Sequence, residues 1–179
     1  VIAVERTTKI VFGLKSYALY DNIGHKQFVQ ITEGLETVLE LYRNQLSSGI
    51  ELIRDYQPIP AIWCYPDELN QVWTNLIHNG IHAMQGKGCL QIRVSEQKGG
   101  VIVAITDSGQ GISPQVQPRI FEPFFTTKPV GEGSGLGLDI ARKIIEKHQG
   151  NIEFESQPGQ TTFEVWLPMD NIQPPGLKS

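Results

Sequence analysis

Three runs of residues in this chain have the types and spacing for chemistry. The most pronounced is Gly131-Glu132-Gly133-Ser134-Gly135-Leu136-Gly137-Leu138, which leads straight into a stretch of helical period. Free backbone N–H groups at such a helix start, backed by the positive end of the helix dipole, suit a phosphate. The run is neither G-x-G-x-x-G after a strand nor G-x-x-x-x-G-K-[ST], since Gly86-Lys87 is followed by Gly88. Glycine spacing alone also fits a hinge before a helix. The second run, Asp107-Ser108-Gly109-Gln110-Gly111, follows a β-branched stretch. An ionised carboxylate there only accepts hydrogen bonds, an adenine amino group is a matching donor, and glycine lets backbone approach closely. A plain Asp-Gly turn has the same composition. The third run is Asn75-Leu76-Ile77-His78-Asn79-Gly80-Ile81-His82-Ala83. With Leu69 at zero on a helical wheel, Asn79 falls at roughly 280°, on the shoulder of the apolar stripe. An amide carbonyl at that border can bind a hard cation and leave other positions for phosphate and water. A border asparagine with local partners is the plainer alternative.

The elements that must position these runs follow from periodicity and turn formers. Val4, Thr7, Val11, Leu14 and Ala18 have the three–four spacing of an a/d seam and predict an amphipathic helix, ended by Asp21-Asn22-Ile23-Gly24. Phe28 to Ile31 reads as a strand, and Thr32 as the N-cap of a helix running to about Leu46. Ile50 to Tyr56 reads as a second strand. Pro66-Asp67-Glu68 opens a helix whose Leu69, Val72, Trp73, Leu76, Gly80 and Ala83 share one face. Leu90 to Val94 and Val101 to Thr106 form a hairpin around Lys98-Gly99-Gly100. From Asp107 to Gly135 there is no period, which marks a long functional loop. A helix over Leu136 to Gln149, stopped by Gly150, precedes a hairpin of Ile152–Glu155 and Thr161–Leu167; after Pro168 the chain reads as a loose tail. This order predicts helices on one face of a mixed sheet.

Composition narrows the function classes. The 179 residues carry a net charge of −4, a poor match to a nucleic-acid backbone. No apolar run reaches membrane-span length, and the first residues lack a signal-peptide layout. Cys64 and Cys89 cannot make a zinc ribbon or a disulfide framework and read as reduced core thiols of a cytoplasmic protein.

Taken in order, the Asn-bearing helix, DSGQG, Phe121-Glu122-Pro123-Phe124-Phe125-Thr126-Thr127-Lys128 and GEGSGLGL resemble the catalytic, ATP-binding domain of sensor histidine kinases. The resemblance spans Phe28 to Pro168. It implies an α/β (α+β) two-layer sandwich of the Bergerat type: a mixed, mainly antiparallel sheet of about five strands, about three helices on one face, and an ATP lid. Carried over by match, Asn79 ligates Mg²⁺ with Asn75 in support. Asp107 binds the adenine amino group, Gly109, Gly111 and Ile112 shape that pocket, and Thr162 lies near adenine. Gly133, Gly135, Leu136, Gly137 and Leu138 close on the phosphates. Where many relatives carry a lysine beyond the metal-binding Asn, this chain has His82, kept among the ATP-binding candidates, and Lys128 is the expected source of positive charge and, with Asn79, a catalytic residue. Phe121, Glu122, Phe124 and Phe125 match the segment that docks on the helical dimerisation domain; the phenylalanines also suit anchoring the loop to the core.

Hydrolytic relatives of this fold, gyrase-type topoisomerases, heat-shock chaperones and mismatch-repair proteins, place a general-base glutamate one helical turn before the metal-binding asparagine. Here that position is Asn75, which cannot take a proton. The expectation is therefore histidine phosphorylation in a two-component phosphorelay, with ATP and Mg²⁺. The alternatives are an anti-sigma-type serine kinase, against which the FEPFFTTK segment argues, and a degenerate ATP-binding interaction module. The four histidines precede Lys26, Asn79, Ala83 and Gln149, none an acid, so the phosphoacceptor is expected on a separate domain. Residues 1–22 then read as the second helix of the dimerisation hairpin, 23–170 as the catalytic domain and 171–179 as a flexible tail. A homodimeric parent, membrane-anchored or not, and a downstream response regulator are the implied partners.

Overall fold

The computed structural model describes residues 24–129 and 133–169. The seam helix expected over residues 1–20, the boundary at 22, Gly131, Glu132 and the tail over 171–179 lie outside the described residues. The described elements run β1 (Gln27–Val29), α1 (Ile31–Leu41), α2 (Arg43–Ser47), β2 (Ile50–Tyr56), β3 (Ile62–Cys64), α3 (Pro66–Met84), β4 (Gly88–Gln97), β5 (Gly100–Asp107), α4 (Gly137–Lys147), β6 (Asn151–Gln157) and β7 (Gln160–Pro168). A 3-10 turn, Gln117–Arg119, interrupts the long loop between β5 and α4.

The main sheet has the order β2-β4-β5-β7-β6. Among the described residues only β2 and β4 pair in parallel, and α3 lies in the crossover between them. The other pairs are antiparallel, and β4–β5 turns over Lys98 and Gly99, both at positive φ as a two-residue hairpin needs. Alternation sorts the strands cleanly. Leu90, Ile92 and Val94, Val101, Val103 and Ile105, and Phe163, Val165 and Leu167 are buried on one face. Against that face pack Leu35 and Val38 of α1, Leu69, Val72, Trp73, Leu76 and Ile77 of α3, and Ile140, Ala141, Ile144 and Ile145 of α4. The opposite face carries Arg93, Glu153 and Glu164 and is solvated, as an antiparallel sheet permits.

Four details depart from the sequence reading. The first helix starts at Ile31, not after Thr32, with Gln30 as an N-cap that makes no side-chain bond. Ile31 is 2% exposed, and placing it in the core outweighs the better cap. That helix also ends at Leu41; Tyr42 (φ −97°, ψ 7°) separates it from α2. A short strand, Ile62–Cys64, pairs with β1 in a separate two-stranded sheet. Cys64 is buried there, but Cys89 is not a core thiol: alternation along β4 turns it away from the face of Leu90.

Candidate functional site

The site is built along α3. Pro66 at its start, Asp67 and Glu68 in its first turn and the buried stripe fix its register against the sheet. That register sets Gly80 and Ala83 within or beside the buried stripe and Asn75 and Asn79 at its border. Gly80 and Ala83 meet the Asp107 turn, Asn79 meets Lys128 and Asn75 meets Gly137.

At one end, β5 delivers Asp107 to the sheet edge, 5% exposed. Its Oδ1 accepts the Gly109 N–H at 2.9 Å. Burial pushes the carboxyl pKa up to about 6, against the pull of that N–H. The turn lies flush on α3. A Cβ on Gly109 would stand 2.6 Å from that of Ala83, and one on Gly80 would stand 3.2 Å from Cβ of Asp107. Gln110 N–H donates to the Ala83 carbonyl at 3.3 Å. Gly111, at φ +80°, backs onto the Gln157 carbonyl, where no side chain fits. Ile112 N–H donates to Ser156 Oγ at 2.8 Å, and Ser156 Oγ bonds Thr161 Oγ1 at 2.7 Å. Gln117 Nε2 closes this arrangement on the carbonyls of Ile112 and Ser156.

At the other end, Lys128 Nζ donates to Asn79 Oδ1 at 3.4 Å, and Asn75 Nδ2 to the Gly137 carbonyl at 2.9 Å. Gly133 lies against Thr126 and Lys128. Gly135, at φ +68°, lies against the backbone of Phe124, itself left-handed at φ +64°. Leu136 is buried and Leu138 packs on the core, so both side chains anchor the start of α4 and leave its backbone to face outward. Among the described residues no group of three His, Cys, Asp or Glu is placed to hold a metal ion. The donor that suits a hard cation here is Asn79 Oδ1, a neutral oxygen whose present partner is long.

The structure thus brings together Asn75, Asn79, Asp107, Gly109, Gly111, Ile112, Lys128, Gly133, Gly135, Leu136, Gly137 and Leu138. It does not bring Thr162. Strand pairing sets Thr161 directly opposite Asp107 and Thr162 opposite Thr106, with Thr106 and Thr162 hydroxyls 2.8 Å apart on the solvated face. Thr161, 3% exposed, replaces it beside Asp107. The signal was present: Thr161 has the parity of Phe163, Val165 and Leu167. Ser156 and Gln117 carried no sequence signal. His82 lies on the exposed side of α3. The three phenylalanines divide. Phe121 packs edge-on against Phe154 and receives Arg142; Phe125 lies under the Arg119 guanidinium at 4.3 Å; Phe124 is 73% exposed.

Residues 64–171 match the model of the histidine kinase-, DNA gyrase B-, and HSP90-like ATPase family. The chain belongs to that family. It is therefore an ATP-binding domain. It is 43% identical over 113 residues to the sensor histidine kinase ZraS of Escherichia coli (strain K12), covering 63% of this chain and 24% of ZraS. To the sensory histidine kinase/phosphatase NtrB of Proteus hauseri it is 32% identical over 158 residues, covering 82% of this chain and 45% of NtrB. The chain thus spans less than half the length of these curated relatives. The catalytic domain of histidine kinase ThkA, in a nucleotide-free form, superposes with a TM-score of 0.74 at 29% identity over 81% of this chain and 96% of that one. Full-length ShkA in complex with AMPPNP gives 0.72 at 27% identity over 82% and 31%. The five-stranded mixed sheet with helices on one face is the fold of a histidine kinase catalytic domain, as the motif order implied. No helix among the described residues is long and apolar enough to cross a membrane.

Proposed function

We propose that this chain is the catalytic part of a two-component sensor histidine kinase and transfers the γ-phosphoryl group of ATP to a histidine on a separate dimerisation hairpin. The observation that carries this reading is the row along α3: the Asp107 turn on Gly80 and Ala83, Lys128 on Asn79, and Gly137 on Asn75. Positions 75 and 83 are about 12 Å apart along the helix, the scale of a nucleotide laid from base to terminal phosphate.

In this arrangement Asp107 accepts the adenine amino group, with Thr161, Gly109, Gly111 and Ile112 shaping the pocket. The backbone of Gly133 to Leu138 faces the phosphates at the helix start, and Lys128 adds positive charge. Asn79 Oδ1 fits Mg²⁺, which when bound neutralises phosphate charge. The acceptor imidazole nitrogen bonds to the γ-phosphorus as the bond to the bridging oxygen breaks, and ADP leaves with that electron pair. Positioning and charge neutralisation are the protein's share of such a transfer. Phe124, with Glu122 and Phe125 beside it, docks on the hairpin, while Phe121 holds the segment to the core. The parent is a homodimer that passes the phosphoryl group to a response regulator.

Incubation with radiolabelled ATP and Mg²⁺ tests this. The chain alone should neither label itself nor release phosphate appreciably; with a separate hairpin bearing the acceptor, it should yield an acid-labile, alkali-stable product. Self-labelling on His25, His78, His82 or His148, or brisk phosphate release, would refute it.

A further inference from the structure

Asn75 stands one helical turn before Asn79, and its side chain is committed. Nδ2 donates to the Gly137 carbonyl at 2.9 Å, across 62 residues of sequence. Gly137 opens α4, and its carbonyl has a second lone pair to offer beyond the intrahelical bond. The approach is possible because residue 137 lacks a side chain: a Cβ there would stand 3.3 Å from Asn75 Oδ1 and 3.4 Å from Cγ. At the far ends of the same two helices, Lys147 Nζ meets Glu68 Oε1 at 2.6 Å and Tyr65 N–H donates to His148 Nε2 at 3.1 Å. The helix pair is therefore antiparallel, held by two bonds at one end and by Asn75 at the phosphate-facing start of α4.

Resting on the nucleotide reading above, we infer that Asn75 is a positioning residue whose amide N–H holds the start of α4 in place, and that this tie demands a donor and so excludes a carboxylate. An ionised Asp in the same pose would set an acceptor oxygen against a carbonyl oxygen. A Glu, one methylene longer, would have to leave the contact, freeing the backbone N–H groups that face the phosphates. The asparagine at this position thus has a structural reason separate from the lack of a water-activating base. Restoring a carboxylate here does not restore hydrolysis, because it releases the anion-binding helix start.

The test compares Asn75→Leu, Asn75→Asp and Asn75→Glu with the unaltered chain. Amide exchange over residues 137–141, measured without nucleotide, should rise in all three, with β5 amides unchanged as the control for folding. Affinity for ATP and ADP should fall about tenfold and that for adenosine less than twofold, because the tie serves the phosphate end alone. Asn75→Glu should release no more phosphate than the parent chain. Unchanged exchange over 137–141, an equal loss for adenosine and ATP, or phosphate release by Asn75→Glu at undiminished affinity would each overturn the inference. If the unaltered chain binds no ATP, the nucleotide reading falls, while the exchange comparison still decides the tie.

Discussion

The Asp107 end and the Phe124 end of the α3 row are built by opposite means. Around Asp107, strand alternation points Asp107, Thr161 and Ser156 to one side; bonds through Ile112 and Gln117 hold Ser156 and Thr161, and the Gly109 N–H holds Asp107. Asp107 is 5% exposed and Thr161 3%. Around Phe124, geometry comes from left-handed backbone at Phe124 and Gly135, pressed together, and the key side chain is 73% exposed. A non-glycine residue in that region costs roughly 1–2 kcal/mol. The first end is preorganised for a small ligand. The second holds an apolar ring in water on a strained backbone, which fits the docking role proposed for it.

The largest effect that would break this contrast lies at Phe124. Phe124→Ala should slow transfer to a separate hairpin by roughly 30- to 100-fold, the scale of an interface anchor, and leave ATP affinity within twofold. Phe124→Gly should lose transfer equally while relieving the left-handed strain, raising stability by about 1 kcal/mol. Thermal melts and initial transfer rates check both. A matching loss of ATP affinity would show that the two ends are not separable.

Asp107→Asn should act on the other end with two opposite signs. Placing a donor before the adenine amino group should weaken ATP by on the order of 1–3 kcal/mol. The apo domain should become more stable, because the neutral amide escapes the desolvation that raises the carboxyl pKa. The pH dependence follows from the same shift. Between about pH 4 and 6 the folded chain holds a proton that the unfolded chain has lost, so the contribution of Asp107 to apo stability is present at low pH and falls as pH rises through about 6. ATP affinity should run the other way, rising through about pH 6 as the carboxylate forms. Calorimetry across pH 5–8 reads both, and subtraction of the Asp107→Asn profile removes titration of the nucleotide itself.

What could be read from the sequence tracks the range of the force that fixes each feature. The α3 stripe, its Pro66 start and both main hairpins are local patterns, and their residues stand where periodicity put them. Strand β3 is three residues between prolines and forms by pairing with β1, Phe28 opposite Trp63 across 35 positions, with Ile62 and Cys64 buried. The motif order pointed to residues that the structure brings together along α3, yet parity alone would have chosen Thr161 over Thr162. Tertiary partners decided the rest. Arg142 and Phe154 hold Phe121 inward, and the role of Asn75 depends on a carbonyl far along the chain.

A smaller effect sharpens the preorganised end. Gly111→Ala meets both a positive φ and the Gln157 carbonyl, so it should destabilise the domain by about 1–2 kcal/mol. ATP affinity should fall with it, because Ile112 and Ser156 move together. Gly135→Ala carries the same backbone penalty at the other end. It should disturb transfer and phosphate binding while leaving adenosine affinity unchanged.

The smallest expected change is Gly80→Ala, and its sign is a balance of two terms. In a helix interior alanine is favoured over glycine by about 1 kcal/mol. Against this, the new methyl would stand 3.2 Å from Asp107 Cβ and 3.3 Å from Leu90 Cδ1, close enough that a neighbour must give by a few tenths of an ångström. Leu90 is fully buried and Asp107 is tied to Gly109, so neither yields freely. The two terms should nearly cancel, leaving stability within about 0.5 kcal/mol of the parent. The residual shows up in the ligand instead. Asp107 Oδ2 lies 3.6 Å from the added carbon, so a slight outward shift of the carboxylate should weaken ATP by less than about threefold, under 1 kcal/mol. A tenfold loss would mean that the Asp107 end tolerates far less displacement than its bonds suggest. A full 1 kcal/mol gain in stability with unchanged affinity would mean that this end is looser than the contrast with Phe124 requires.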